Sequence, residues 1–90
     1  MSSPAIADNA LRQRYEMLLD AALGGGTAFV AYRRSGDVLT LDHAEVPRDV
    51  EGRGVGGLLV KATLDDIRAR GLQVVPRCSF VRAYMRRHPE

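Results

Sequence analysis

The sequence predicts one α+β domain, with N-terminal antiparallel strands followed by a helix, a parallel crossover strand and a C-terminal helix. Two runs rich in β-branched and aromatic residues flank the turn sequence Ser-Gly-Asp within residues 27–46, which is typical of an antiparallel hairpin. Residues 55–70 carry apolar side chains at helical spacing. The short apolar run LQVVP follows, and a strand that returns across a helix is expected to be parallel, with a right-handed crossover. A last helix is expected near residues 79–88.

The N-terminal segment can be interpreted in two ways. In DNALRQRYEMLLDAALGGG, Asp8 and Asn9 are typical helix caps, and most of the following residues favour helix. Propensity alone therefore predicts a helix over about residues 10–23. Residues 1–10 are expected to be flexible.

The boundaries of the later elements follow from proline and glycine. Pro47 cannot donate a hydrogen bond to a sheet, so the second hairpin strand is expected to end near Val46. Gly71 is placed to end the central helix. The apolar face of that helix is predicted from the i, i+3, i+4, i+7 series Val55, Leu58, Leu59 and Ala62.

The length and composition of the chain limit the classes of protein to which it can belong. Ninety residues suit a single domain with one modest core. The sequence contains no run of roughly 18 apolar residues, so we expect no membrane span. The first residues lack the pattern of a secretory signal. The solitary Cys78 suits a reducing compartment, so we expect a soluble cytoplasmic protein.

The C-terminal segment RCSFVRAYMRRHPE is basic, although the net charge of the chain is only +2. It could favour an anionic ligand, or it could be an exposed basic helix. Nucleic-acid binding is not expected as a main role, because no recognisable nucleic-acid motif accompanies the charge.

The glycine-rich stretch EGRGVGG precedes the central helix. Gly52, Gly54 and Gly57 match G-x-G-x-x-G, but that pattern alone is a weak signal. A dinucleotide-binding fold needs further parallel units and an acidic residue about 20 positions on, and the segment VVPRCSF at that distance has no acid. The Lys-Ser/Thr of a P-loop is also absent. Two interpretations stay open: a tight turn that lets the helix pack closely, or a phosphate cradle of backbone N–H groups at a helix N-terminus.

Several motifs occur together in the C-terminal half, over about residues 42–90. They are His-x-Glu-Val-Pro, the glycine loop and Pro-x-Cys-x-Phe-Val-x-x-Tyr, in that order. On these motifs the chain resembles the minimal single-domain branch of the GNAT acetyltransferase superfamily. The resemblance implies a three-layer-like GNAT fold over residues 1–90 and acetyl-CoA as co-substrate, with no metal. It also implies that residues 13–19 form a strand, and we adopt this in place of the helix.

The resemblance further implies a coenzyme A site. The backbone of Val46 is expected to bind the pantetheine arm, and the glycine loop is expected to hold the pyrophosphate. The expected coenzyme contacts are Val46, Gly52, Arg53, Gly54, Val55, Gly56, Gly57, Cys78, Tyr84 and Arg87. Glu51 departs from the Gln or Arg common at its position, so the backbone is expected to dominate phosphate binding.

The chain also differs from the family pattern at the residue that donates a proton to the leaving group. Many relatives carry a tyrosine that protonates the departing thiolate, and in this chain Met85 falls at that position. Tyr84 is one residue away and faces elsewhere on a helix, so the usual acid is missing. Cys78, at the start of the last helix, is the candidate substitute, as general acid or as transient acetyl carrier, or else a buried packing residue.

His43 and Glu45 are the candidate bases for removing a proton from the acceptor amine. They alternate with Leu39 and Leu41, which predicts that all four project from one face of the strand. His43 has a suitable pKa without tuning, whereas Glu45 would need a raised pKa or a relaying water.

The predicted function is acetyl-CoA-dependent N-acetylation of a primary amine, on a protein or peptide, since so small a domain can enclose little substrate. The alternative from another class is a non-catalytic acyl-CoA-binding or regulatory module of the same fold. A small nucleic-acid-binding protein is a third possibility.

Overall fold

The computed structural model of the chain describes residues 6–19, 25–50, 52 and 54–88. Within these residues it contains a five-stranded sheet, a short 3-10 helix and two α-helices. The strands are β1 (Ile6–Asn9), β2 (Arg14–Leu18), β3 (Thr27–Ser35), β4 (Val38–Glu45) and β5 (Gln73–Pro76). The 3-10 helix is Arg48–Val50, and the α-helices are α1 (Val55–Ala69) and α2 (Ser79–Arg87).

The sheet has the strand order β1-β2-β3-β4-β5. Neighbouring strands from β1 to β4 are antiparallel, whereas β5 pairs with β4 in parallel, from Val38 opposite Gln73 to Leu41 opposite Pro76. The predicted hairpin, crossover strand and α+β class are therefore confirmed. The hairpin turns at Gly36, whose φ of 59° lies in the left-handed region that glycine adopts readily.

The N-terminal segment corrects the helix predicted from propensity over residues 10–23. Residues 14–18 form β2, in agreement with the strand implied by the family resemblance. Residues 1–5 and 20–24 lie outside the described residues. β2 lies between β1 and β3 and buries Tyr15 and Met17 on one face of the sheet. Pairing on both edges and burial of two large side chains outweigh the small helix preference of this sequence.

Residues 6–9 also differ from the expectation that residues 1–10 are flexible. They form β1, which pairs with β2 from Ile6 opposite Met17 to Asn9 opposite Arg14. Asp8 accepts hydrogen bonds from the Tyr32 hydroxyl and from the Arg70 guanidinium. These bonds join β1 to the neighbouring elements, so this part of the N-terminal segment belongs to the fold.

The core lies between the sheet and the two helices. Its strand residues come from one face, including Tyr15, Val30 and Leu39, and α1 and α2 contribute residues such as Leu59 and Val81 to the same cluster. The described residues thus form two layers, and the third layer of the expected three-layer-like arrangement is not seen among them. The other face of the sheet, which we call the open face, carries no helix from the described residues.

α1 buries the face that its sequence pattern predicts, with one exception. Val55 and Leu59 are buried and Ala62 is partly buried, but Leu58 is 42% exposed. Thr63 is also buried, and its hydroxyl donates to the carbonyl of Leu59 at 2.8 Å, so its polar atom is satisfied inside the helix.

Candidate active site

β4 and β5 separate at Leu41, and this separation opens the candidate site. The last pair between the two strands is Leu41 opposite Pro76. The N–H groups of Arg77 and Cys78 both donate to the Leu41 carbonyl, at 3.0 and 2.9 Å. β4 then continues to Glu45, while the chain beyond β5 turns into α2. Residues 42–45 therefore have β3 on one edge and no strand from the described residues on the other.

A β-bulge in β4 lies directly after this separation. Tyr32 is opposite Leu41 and Ala31 is opposite His43, so Asp42 is the extra residue. An extra residue shifts the alternation of side chains by one position. Residues 44 and 46 therefore face the core side of the sheet, whereas residues 43 and 45 face its open side.

A cavity of about 570 Å³ lies on the core side, next to the unpaired end of β4. Three parts of the chain form its walls: the end of β4, the glycine loop with the first turn of α1, and one face of α2. The lining residues are Ala44, Val46, Val50, Gly52, Gly54, Gly56, Gly57, Phe80, Ala83, Tyr84 and Arg87.

The glycine loop leads into α1 with backbone angles that suit glycine. Gly52 and Gly54 have φ of 82° and 81°, and Gly54 is the N-cap of α1. Among the described residues, no side chain caps this end of α1, and the first backbone bond joins the Leu58 N–H to the Gly54 carbonyl at 3.2 Å. The N–H groups of the first turn are available to a ligand because they have no intrahelical acceptors. Together with the helix dipole they favour an anion.

One face of α2 completes the cavity. Phe80, Ala83, Tyr84 and Arg87 follow i, i+3, i+4, i+7 spacing and line it together. A Cβ atom added to Gly56 would lie 2.6 Å from Cζ of Phe80, and one added to Gly57 would lie 4.0 Å from Cε2 of Tyr84. Gly56 thus allows the ring of Phe80 to approach α1 closely, whereas a Cβ at position 57 would make only an ordinary van der Waals contact with Tyr84.

The structure brings most of the expected coenzyme contacts together. The residues among them that line the cavity are Val46, Gly52, Gly54, Gly56, Gly57, Tyr84 and Arg87. Val55 and Cys78 are buried in the core instead and are not among the lining residues. Glu51 and Arg53 lie outside the described residues. The role of each residue in coenzyme binding stays a prediction.

The candidate bases do not lie where the strand pattern predicts. Leu39 and Leu41 are buried, whereas the side chains of His43 and Glu45 are 60% and 61% exposed. The prediction that all four share one face is wrong, because the bulge at Asp42 reverses the alternation. His43 and Glu45 face the open side, with Nε2 of His43 3.7 Å from Oε1 of Glu45.

Neighbouring carboxylates on the open face are already paired with arginines. Arg33 donates two hydrogen bonds to Asp42, at 2.7 and 3.1 Å, and these bonds lower the pKa of that carboxyl. Hydrogen bonds from Arg14 and Asn9 lower the pKa of Glu16. Lowered pKa values make Asp42 and Glu16 poor bases, so His43 and Glu45 are the better candidates on this face.

Cys78 lies at the junction of the separated strands and α2. It is the N-cap residue of α2, and its side chain is buried. Its N–H donates a hydrogen bond to the Leu41 carbonyl. Met85, at the position of the family's tyrosine, and Tyr84 both pack against the core. Tyr84 also lines the cavity and stacks on His88 with ring centroids 4.3 Å apart.

Sequence reasoning missed four of the lining residues: Ala44, Val50, Phe80 and Ala83. Phe80 and Ala83 could have been found by extending the helical spacing back from Tyr84 and Arg87. The signal for Ala44 is the adjacent polar pair Asp42-His43, after which the apolar positions of the strand shift from 39 and 41 to 44 and 46.

The residues around the cavity suit coenzyme A. Pyrophosphate requires N–H donors and positive charge, and the first turn of α1 and the Arg87 guanidinium supply them. No carboxylate occurs among the described lining residues. Within the described part of the chain, no cluster of three or more potential metal-ligating side chains is found, nor a helix long and apolar enough to cross a membrane.

Comparisons with known proteins agree with this geometry. A sequence profile described as GCN5-related N-acetyl-transferase matches residues 14–90. The chain is also similar to a GCN5-like protein from Staphylococcus aureus, known from an NMR solution structure, at 26% identity and a TM-score of 0.65. That similarity covers 98% of this chain and 83% of the other. No curated protein matches significantly. Because the family profile spans most of its length, the chain belongs to the GCN5-related N-acetyltransferase family.

Proposed function

We propose that this protein transfers an acetyl group from acetyl-CoA to a primary amine on a protein or peptide. The observation that carries the proposal is the cavity itself, which joins the N-terminus of α1 to the point where β4 and β5 separate. It offers anion-binding groups in one part and an unpaired strand edge in another. These are the features that a phosphorylated, amide-containing arm requires.

The chain's own groups bind the coenzyme in this proposal. The first-turn N–H groups of α1 and the Arg87 guanidinium bind the pyrophosphate, and backbone groups at the unpaired edge of β4 around Val46 bind the amides of the pantetheine arm. When bound, acetyl-CoA supplies an activated acetyl group as a thioester.

The acceptor approaches from the open face of the sheet. Beyond the bulge, side chains of β4 alternate between the cavity, at Ala44 and Val46, and the open face, at His43 and Glu45. One strand of backbone therefore separates the coenzyme side from the candidate bases. His43 accepts the ammonium proton, assisted by Glu45. The neutral amine would then form a C–N bond to the acetyl carbonyl carbon of the bound thioester, the C–S bond would break, and the sulfur would leave as a thiolate that takes up a proton.

The shape of the open face supports a large acceptor. It carries exposed residues such as Leu18 and Val75, and no helix among the described residues covers it. Such a surface encloses a small amine poorly but can contact a polypeptide over several residues.

A non-catalytic acyl-CoA-binding module is the alternative function. The presence of Met85 at the position of the family's tyrosine favours it, because methionine has no proton to donate. Tight coenzyme A binding without transfer to any amine would support this alternative.

The test combines thermal unfolding with detection of released thiol. Coenzyme A and acetyl-CoA are expected to raise the unfolding temperature, and peptides bearing a primary amine are expected to release free thiol from acetyl-CoA. Absence of any stabilisation by either compound would exclude the proposed function.

Two glycine variants provide a matched comparison. Gly54 and Gly36 both have positive φ and open space where a Cβ would lie, but only Gly54 lines the cavity. Gly54→Ala and Gly36→Ala should each lose about 1 kcal/mol of stability from backbone strain. Only Gly54→Ala should also weaken coenzyme A binding, measured by calorimetry.

A further inference from the structure

We propose that Phe29 is a positioning residue for His43, and that its ring holds the imidazole beside Glu45 on the open face of the sheet. This inference rests on the proposed function, in which His43 removes the ammonium proton of the acceptor. Three observations carry it: the ring contact between Phe29 and His43, the strand register that allows this contact, and the charged side chains that hold the two rings.

The rings of Phe29 and His43 pack against each other edge to face. Their centroids are 6.1 Å apart and their planes are inclined at 63°. Aromatic pairs prefer this arrangement at centroid separations of about 4.5–7 Å. The His43 side chain is 60% exposed, whereas Phe29 is partly buried. Phe29 therefore gives the exposed imidazole a surface that the sheet holds in place.

The strand register leaves room for this contact. Phe29 lies opposite Glu45, and Ala31 lies opposite His43. Phe29 is therefore the diagonal neighbour of His43, and a diagonal neighbour is within reach of an aromatic side chain. The methyl group of Ala31 is too small to keep the two rings apart. Without the bulge at Asp42, His43 would face the core and the contact would not exist.

Charged side chains hold both rings. The guanidinium carbon of Arg14 lies 4.5 Å from the centroid of the Phe29 ring, which is a cation–π contact. Nε of Arg14 in turn pairs with Oε2 of Glu16 at 2.5 Å. Within β4, Oε1 of Glu45 lies 3.7 Å from Nε2 of His43. These contacts form a continuous series across three strands, in which Phe29 links the arginine to the imidazole.

The orientation of the imidazole matters for proton transfer. A general base acts only when it is within hydrogen-bond reach of the proton that it removes. A His43 side chain held in one rotamer presents its accepting nitrogen in one direction, whereas a mobile side chain does so for part of the time. Loss of the Phe29 ring should therefore slow proton removal. Coenzyme binding should not change, because the cavity lies on the other side of the sheet.

NMR spectroscopy of the protein without ligands tests the positioning directly. In the wild type, we expect cross-relaxation between the ring protons of Phe29 and His43, and couplings across χ1 of His43 that indicate one rotamer. Phe29→Leu keeps apolar bulk without a ring and should average these couplings. Phe29→Tyr keeps the ring and should retain the wild-type couplings. Averaged couplings in the wild type would overturn the inference.

Steady-state kinetics with a peptide amine measure the effect on the reaction. Phe29→Leu should lower kcat/KM for the peptide by about two- to tenfold, which corresponds to the strength of an aromatic pair. Phe29→Tyr should keep most of the wild-type value, and neither variant should change the affinity for coenzyme A. Thr27→Ala is the matched control, because Thr27 lies on the same strand two residues before Phe29 and faces the same side.

A double-mutant cycle separates positioning from a general effect on the fold. In the His43→Gln background, Phe29→Leu should cause no further loss of kcat/KM, because the side chain that it positions is already absent. Equal effects of Phe29→Leu in both backgrounds would overturn the inference. A wild type that releases no thiol with any peptide amine would instead reject the proposed function, and the couplings would still decide whether Phe29 holds His43.

Discussion

At the scale of single residues, Cys78 is held beside the candidate site by two backbone hydrogen bonds. Its backbone N–H holds the Leu41 carbonyl, its carbonyl accepts from the Arg82 N–H at 3.0 Å, and its thiol is buried beside the separated strands. The position of the thiol beside the separated strands makes Cys78 the candidate proton donor to the departing thiolate.

Replacing Cys78 distinguishes a role as general acid from a role in packing alone. As a general acid it should be worth about 100-fold in turnover, so Cys78→Ala should lower kcat by that amount with an unchanged affinity for coenzyme A. Tyr84→Phe, which removes the phenol lining the cavity and keeps the ring, should retain most of the turnover. Steady-state kinetics and thermal unfolding check both variants. An unchanged kcat in a folded Cys78→Ala protein would show that Cys78 has only a packing role.

At the scale of elements, β4 determines which side chains face the cavity and which face the open side of the sheet. Its bulge directs Ala44 into the cavity and His43 to the opposite face. The strand itself was predictable from its alternating pattern and from Pro47. The direction of residues 43–46 was missed, because one extra residue reverses the alternation. The mark it leaves in the sequence is the adjacent polar pair Asp42-His43, after which the apolar positions shift from 39 and 41 to 44 and 46.

The direction of His43 and Glu45 leads to a prediction about the acceptor. His43→Gln and Glu45→Gln should lower kcat/KM for a peptide amine by at least about tenfold, because each removes a base from the open face. Neither should change coenzyme A affinity, since the cavity lies on the other side of the sheet. Thr40→Ala is the control, because Thr40 lies on the same strand before the bulge. A weaker affinity for coenzyme A in the His43 variant would place that side chain on the coenzyme side instead.

At the scale of the whole molecule, a polar cluster joins β1, β2 and β3 to the C-terminal end of α1. The Tyr15 hydroxyl donates to Asp66 at 2.7 Å and the Tyr32 hydroxyl donates to Asp8. Arg70 contacts Asp8 and Asp66 at 3.1 and 3.0 Å. These bonds connect residues up to 62 positions apart, so they fix the N-terminal strand to the helix.

The same cluster explains why the N-terminal strands were hard to predict from residue propensities. The hairpin of β3 and β4 and the helix α1 are specified locally, by turn residues and helical spacing. β1 and β2 depend on partners distant in sequence, such as Arg70 for Asp8 and Asp66 for Tyr15. Local propensity contains no information about such partners, and only the family resemblance predicted β2.

The cluster predicts how stability depends on pH. Burial and the hydrogen bond to Asp8 raise the pKa of Tyr32 to about 12, and burial and Asp66 raise the pKa of Tyr15 as well. A raised pKa means that folding favours the neutral phenol. The contribution of Tyr32 is therefore fully present below pH 10 and is lost as the pH rises from about 10 to about 12.

Urea unfolding at a series of pH values between 9 and 12 measures this contribution. The free energy of unfolding should fall across the range, by at most about 2–3 kcal/mol from Tyr32 alone. Tyr32→Phe should be less stable than the wild type at pH 9, because it leaves Asp8 without one donor, and its stability should fall less steeply between pH 10 and 12. Tyr84→Phe removes a phenol outside the cluster and should leave the contribution of Tyr32 intact. If Tyr32→Phe showed the same slope as the wild type, Tyr32 would not be the source of the alkaline loss of stability.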